Sequence, residues 1–309
     1  MSGNLYSLLA SGFPADRSRP VFVQPGVSGM SYGELEVLAA RTASALRARG
    51  VRPGDRVALQ VEKSVEAVVI YLATLRIGAV FLPLNAAYTP AEVAYFLDDA
   101  EPSVFIQDAQ AFTREAETLA PETAVEPREA SDLASIIYTS GTTGRSKGAM
   151  LTHGALAANA LALHAAWGFT PSDVLLHALP IFHVHGLFVA LHCAFLSGCP
   201  MVWLNRFGEA TVLEGLASST VMMGVPTFYT RLLAHPGLTR DSVAHMRLFI
   251  SGSAPLLESA FAEFEARTGH RILERYGMSE AVIITTNPLD GDRVPGSVGY
   301  PLPGVDLRI

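Results

Sequence analysis

Apolar positions along this chain change spacing again and again, from the three-and-four step of a helix to the short unbroken run of a buried strand. Residues 32–49 carry Leu35, Leu38, Ala39 and Leu46 at helical steps and stop at Gly50, which predicts an amphipathic helix. Strands are predicted at 56–61, 80–82 and 103–107, with helices at 64–78 and 90–100 between them. Farther on, strands at 174–179, 201–204, 220–224 and 248–250 alternate with helices at 209–218, from Pro226 onward and at 256–268. Pro226 suits a first helical position, because the N–H that proline lacks has no partner there, and Gly269 closes the last of these helices. Such alternation predicts an α/β fold, layered, with sheets flanked by helices. At the far end Val305, Leu307 and Ile309 alternate with polar neighbours, so a strand is expected there as well.

Two stretches break the alternation. Residues 108–132 hold five Glu, two Asp and two Pro with weak periodicity, and are expected to be a polar linker between a first α/β lobe at 1–107 and a second at 133–309. Gly186 to Leu204 runs 19 residues without an acid, Lys or Arg, close to the length of a membrane span. Gly198 and Pro200 interrupt it, so it is read as a buried helix at 187–196, a turn and a buried strand.

Composition narrows the function. The chain has 309 residues, half of them hydrophobic, and a net charge of −7 with Lys and Arg scattered. No basic patch is visible, which disfavours a nucleic-acid partner. Cys193 and Cys199 lie among apolar neighbours without metal-ligand spacing, which argues against zinc and suits a reducing compartment. With neither a basic leader nor a long apolar core at the start, a cytoplasmic protein without a membrane anchor is expected.

Chemistry is concentrated in Tyr138 to Gly148, which reads Tyr-Thr-Ser-Gly-Thr-Thr-Gly-Arg-Ser-Lys-Gly directly after an apolar run. Exposed backbone N–H groups, hydroxyl donors and a point cation are what a triphosphate requires, and this segment supplies all three. The run before it and the Ala- and Leu-rich residues 153–166 after it predict a loop between strand and helix. A Walker A loop is excluded, because the glycine it needs four spacers after Gly141 is Ser146.

This loop resembles the signature of the adenylate-forming superfamily, which includes acyl-CoA synthetases, luciferases and peptide-synthetase adenylation domains. Other segments resemble that family's motifs in the same order: Ser251-Gly252-Ser253-Ala254-Pro255-Leu256, its adenine-contacting loop; Tyr276-Gly277-Met278-Ser279-Glu280, its Tyr-Gly-x-Thr/Ser-Glu motif; Leu179 to His183, a wall of its acyl pocket; and Gly296 to Gly304, a later Gly/Pro-rich motif. The resemblance implies ATP bound by Thr139, Ser140, Gly141, Thr142, Thr143, Gly144, Lys147, Ser253, Ala254, Pro255, Arg275, Tyr276, Gly277, Met278 and Ser279. It implies magnesium on Glu280, and catalysis by Lys147, Thr139 and Glu280. Coenzyme A is implied as the second substrate: a carboxylate attacks the α-phosphate of ATP, and the thiol then displaces AMP. Two departures stand out. Ser146 occupies a position usually held by Pro, and Ser279 one usually held by Thr. Family members continue for roughly two hundred residues with a ribose-gripping Asp, a hinge and a small domain bearing a catalytic lysine. None of those motifs is found, so a truncated large domain is expected.

Arg275, just before Tyr276, puts a guanidinium beside the adenylate motif, and Arg231 follows the Gly224 to Tyr229 segment that borders the acyl pocket in relatives. A buried guanidinium calls for an anion, which favours a dicarboxylic acid. With His183, Ser251 and Met278 as further acyl-site residues, the chain resembles the malonyl-CoA synthetases, which also accept methylmalonate. Structural ion pairs with acids such as Glu274 or Glu258 are the competing reading of the two arginines. Small molecules are the expected partners. A silent ATP- and acid-binding module, a synthetase for another small acid, and a weaker phosphotransferase reading that predicts ADP as product are the alternatives.

Overall fold

The computed structural model describes residues 3–24, 27–139 and 145–308. They fall into two compact units, one within 1–19, 30–158 and 181–184, the other within 20–29, 159–180 and 185–309. Both are α/β, as the alternation predicts.

The first unit holds a five-stranded sheet in the order Val104–Ile106, Arg56–Gln60, Val80–Leu84, Leu133–Thr139, Lys147–Thr152. The first four strands are parallel and the last is antiparallel. Its helices start where local chemistry dictates. Ser31 and Glu34 form a reciprocal capping box at Tyr32–Ala48, and Thr89 and Glu92 form another at Pro90–Ala100, with Pro90 in the first turn.

The expected boundary at 108–132 is displaced. Asp108 caps a helix at Ala109–Ala116, and the polar residues after it are stitched to the first unit rather than bridging two lobes. Arg76 donates to the carbonyls of Glu122 and Thr123, each at 3.0 Å, and Asn4 Nδ2 to that of Glu126 at 2.8 Å. Moreover, Ser135 pairs with Phe81, so the strand expected to open a second lobe belongs to the first sheet. Charge composition marked these residues as polar, but it could not reveal that buried donors hold their backbone.

The second unit is built on a nine-stranded sheet. Its order is Tyr300–Pro301, Val282–Thr286, Leu273–Met278, Leu248–Ser251, Val221–Gly224, Leu175–His177, Met201–Trp203, Pro20–Gln24, Val27–Ser31. Under it lies a core that includes Met222, Tyr229, Phe249, Phe261 and Phe264, where Tyr229 and Phe264 meet edge to face at 5.5 Å. The long apolar stretch forms a π-helical turn at His185–Ala190, a helix at Leu191–Ser197 ended by Gly198 with φ +65°, and the Met201–Trp203 strand. Among the described residues no helix is long and apolar enough to cross a membrane. Residues 305–308 are not a strand; the last pairing is at Tyr300–Pro301, and Ile309 lies outside the described residues. Alternation alone supplied no partner edge.

His153 ties the start of the chain to the first unit. Its Nδ1 accepts the Leu5 amide at 3.0 Å, and burial, reinforced by the Arg128 cation, pulls its ring from 6.5 down to about 4. Protonation would remove that acceptor. The unfolded chain takes up the proton near 6.5 and the folded chain only near 4, so this contribution is intact above 6.5 and is lost as pH falls toward 4. Thermal midpoints measured from about pH 7 to about pH 4 should therefore fall, and fall less steeply in His153→Gln. Equal slopes in the two proteins would remove His153 from the account.

Candidate active site

The glycine- and hydroxyl-rich segment lies between two strands that pair with each other. Leu133–Thr139 and Lys147–Thr152 pair antiparallel from Leu133 opposite Thr152 up to Thr139 opposite Lys147. The expected strand-to-helix placement is corrected accordingly: the next helix, His153–Ala166, starts only after the second hairpin strand. A helix N-terminus is thus not what the stems present. Ser140, Gly141, Thr142, Thr143 and Gly144 lie outside the described residues. Of the stems, Thr139 turns its hydroxyl to the Lys147 carbonyl at 3.5 Å, and Lys147 is exposed. Gly148 fits beneath Ile136, where a Cβ would come within 2.8 Å of its methyl.

In the second unit a cavity of about 330 Å³ opens at the carboxyl ends of two parallel strands, Leu248–Ser251 and Leu273–Met278, where Ser251 pairs with Glu274. Crevices at that end of an α/β sheet are the usual place for a ligand. Ser251, Ser253, Ala254, Pro255, Arg275, Tyr276 and Gly277 line it, so the structure brings together most of the site predicted for this unit.

Arg275 dominates the electrostatics of that cavity. Its side chain is buried, with 4% of the residue exposed, and Nη2 reaches Ser253 Oγ at 3.5 Å. Neither Arg275 Nε nor Ser251 Oγ, both buried, has a hydrogen-bond partner among the described residues. Burial lowers the guanidinium from 12.5 to about 9, so it is still a cation at neutral pH. Gly252 makes room for it: a Cβ there would stand 2.4 Å from Arg275 Cζ. Glu274 is turned to other work, since its Oε1 accepts the Gly296 amide at 3.1 Å, and burial raises its carboxyl above the ordinary range. A buried cation facing unsatisfied hydroxyl and cavity is suited to an anionic group brought in from outside.

Sequence reading assigned neither Glu274 nor His185 to the site, and marked Gly252 only as part of the adenine-contacting loop. His185 Nδ1 lies 3.4 Å from Ser253 Oγ, and Ser253 itself has φ +72°, a conformation costly for serine. Only the π-helical turn, invisible to periodicity, brings His185 there.

Beyond Arg275 the strand turns back on itself. Leu273–Met278 pairs antiparallel with Val282–Thr286, a strand not anticipated from the sequence, with a register shift at Tyr276/Gly277. Tyr276 is 48% exposed beside the cavity, while Met278, Ser279 and Glu280 follow toward the turn, outside its lining. No group of three or more His, Cys, Asp or Glu side chains gathers to hold a metal among the described residues.

Two predicted acyl-site residues are not among those that line this cavity. Arg231 is not brought to this cavity: Nε pairs with Glu209 at 2.6 Å, and the guanidinium lies 4.7 Å over the Phe207 ring. His183 belongs to the first unit, its ring 4.3 Å from that of Phe182.

A family model described as AMP-binding enzyme matches residues 11–309. Malonate–CoA ligase ACSF3, mitochondrial, of Mus musculus is 37% identical over 306 residues, covering 85% of this chain and 52% of the relative. ATP-bound MatB from Rhodopseudomonas palustris superposes with a TM-score of 0.94 at 49% identity, over 98% of this chain and 65% of that one. A malonyl-CoA ligase in a ternary product complex with methylmalonyl-CoA and AMP gives 0.85 at 35% identity, over 97% and 67%. The chain thus spans about half the length of the curated relatives it matches.

The turn after Tyr276 depends on Gly277, where a Cβ would stand 1.9 Å from the Val282 carbonyl oxygen. Gly277→Ala must push two paired strands apart and should cost about 1–3 kcal/mol, read as a lowered thermal midpoint. An unchanged midpoint would mean that the strands do not approach this closely.

Proposed function

This chain belongs to the AMP-binding enzyme family, and on that premise we propose that it is the nucleotide- and acid-binding portion of an AMP-forming ligase that couples malonate or methylmalonate to coenzyme A. In the first step a substrate carboxylate oxygen attacks the α-phosphorus of ATP, giving an acyl-adenylate and releasing pyrophosphate. In the second, the thiol of coenzyme A attacks the acyl carbon and AMP leaves. Both steps need charge neutralisation and alignment more than a protein nucleophile.

Each unit is assigned its share. Thr139, Lys147 and the residues between them are assigned to the phosphates, with the lysine meeting charge that builds on the transferring group. In the second unit Tyr276 offers an exposed ring for adenine, and Ser279 a hydroxyl for the α-phosphate. Magnesium, where bound, would sit on Glu280 and phosphate oxygens and supply charge neutralisation.

The observation that carries the substrate choice is the buried Arg275, its Nε and the nearby Ser251 hydroxyl both lacking partners in the cavity wall. A second carboxylate would answer both, and a monocarboxylic acid would leave them unmatched. Arg231 could add a second cation only by exchanging Glu209 for the substrate. Names of the relatives support the same acid: malonate for the mouse ligase, methylmalonyl-CoA in the ternary complex. The cytosol is the compartment proposed, on the two buried thiols, although the mouse relative is mitochondrial by name.

A second reading, an ATP- and acid-binding module without ligase turnover, draws on the length covered. Pyrophosphate exchange into ATP with malonate separates them, run on this chain alone and on this chain joined to the remaining portion of a malonate–CoA ligase. Exchange only in the joined form would favour the module reading for the piece, and exchange in neither would sink the ligase assignment.

In the joined form, Lys147→Ala should slow exchange with little change in thermal midpoint. Arg275→Ala should cost malonate about tenfold to a hundredfold more in kcat/KM than acetate or propionate, the worth of a charge-assisted contact of about 1.5–3 kcal/mol. Equal losses for all three acids would falsify the dicarboxylate assignment.

A further inference from the structure

Within the first unit, the Pro90–Ala100 helix touches both stems of the phosphate hairpin. Asp99 accepts the Tyr138 hydroxyl at 2.5 Å, at the entry to the loop. Four residues earlier on the helix, Tyr95 donates its hydroxyl to the Ser146 carbonyl at 3.0 Å, at the exit. Arg145, on the same exit stem, lies 5.6 Å over the Tyr95 ring. An i, i+4 pair on one helix face therefore grips the two sides of the loop. Below, Tyr95, Phe96 and Tyr138 form an aromatic layer, Phe96 and Tyr138 at 4.3 Å and Tyr95 and Tyr138 at 6.4 Å, which keeps the grip from sliding.

Ser146 makes this contact matter. Its side chain does not fix backbone φ as the ring of proline would, so the residue just ahead of Lys147 lacks that intrinsic stiffness. Holding its carbonyl from outside restores the restraint by tertiary contact. Lys147 is the next residue, paired across the ladder with Thr139. Its long side chain is exposed, so the direction in which it leaves the backbone is set by its stem.

From this we infer that Tyr95 is a positioning residue for phosphate binding: its hydroxyl, by fixing the Ser146 carbonyl, holds the Lys147 stem in the orientation that meets the nucleotide. The inference rests on the nucleotide reading of the hairpin given above. Tyr95 touches no substrate and acts through Ser146 and Lys147. Asp99 and Tyr138 secure the opposite stem, with burial, and then Asp99 itself, raising the Tyr138 phenol so that it stays a donor.

Tyr95→Phe removes one oxygen from a partly buried ring and leaves the aromatic layer and the Arg145 contact in place, so the fold should be kept. Three measurements on the chain as it stands decide the matter: thermal midpoint, calorimetric affinity for magnesium–ATP, and the rate at which trypsin cuts after Arg145 and Lys147, followed by mass spectrometry. The hydrogen bond is worth about 0.5–1.5 kcal/mol, so affinity for ATP should fall about twofold to tenfold. Cleavage at those two bonds should accelerate by a similar factor, while other bonds hold steady and the midpoint falls by no more than about a few degrees. Adding ATP should protect the two bonds in the wild type more than in Tyr95→Phe. A merely structural role would lower the midpoint further and speed cleavage throughout the chain, and that pattern overturns the inference. So does a variant that matches the wild type in both affinity and cleavage. A wild type that binds no ATP, yet shows Tyr95-dependent cleavage at these bonds, would instead bring down the nucleotide reading, with the brace on the stem shown separately.

Discussion

A charge taken out of water must be matched, and the arrangement of this chain follows from how its guanidinium groups, two of them buried, meet that demand. Arg76 is satisfied by two backbone carbonyls and the Tyr6 hydroxyl, and by that means it gathers a polar, acid-rich stretch onto the first unit. Arg247, more exposed, matches the buried Asp173, donating to both of its oxygens at 2.6 and 2.8 Å and to two backbone carbonyls. Arg275 alone of these three keeps a buried nitrogen without a partner among the described residues, and it does so at a cavity. The first two hold the structure; the third has capacity left over for something that arrives from solution.

Most of the architecture was legible because local chemistry and tertiary packing agree. Helices announced by a capping box, such as Thr89 with Glu92, begin where expected, and the short apolar runs at 56–60 and 221–224 are buried parallel strands. What could not be read were features set by partners distant in sequence. Residues 282–286 look unremarkable until the bulge at Gly277 folds them back on Leu273–Met278. Alternation at 305–309 looked like a strand and is not one over its described residues. The loop before Lys147 was read as strand-to-helix because both flanks were plain, yet the six residues of the second hairpin strand lay hidden between them.

The candidate site divides in the same way. Residue types carried the cavity: the serines, the glycines and Arg275 were marked by motif and stand together. Side-chain allegiance was not legible. Arg231 and Arg275 carry the same charge in the sequence, but Glu209 stands within reach of one, while Glu274, adjacent to the other, is held by the Gly296 amide. Composition cannot distinguish an arginine with an acid beside it in the chain from one with an acid beside it in space.

The segment Pro20–Gln24 runs parallel to Met201–Trp203, with Phe22 opposite Met201, although almost the whole first unit intervenes along the chain. Closing so long a loop is entropically expensive and comes late in folding. During synthesis, that early strand must wait until Met201–Trp203 has been made. A gene dissected after residue 158 would therefore yield a C-terminal product with a raw, apolar sheet margin at Met201–Trp203, an invitation to aggregate rather than a self-sufficient domain.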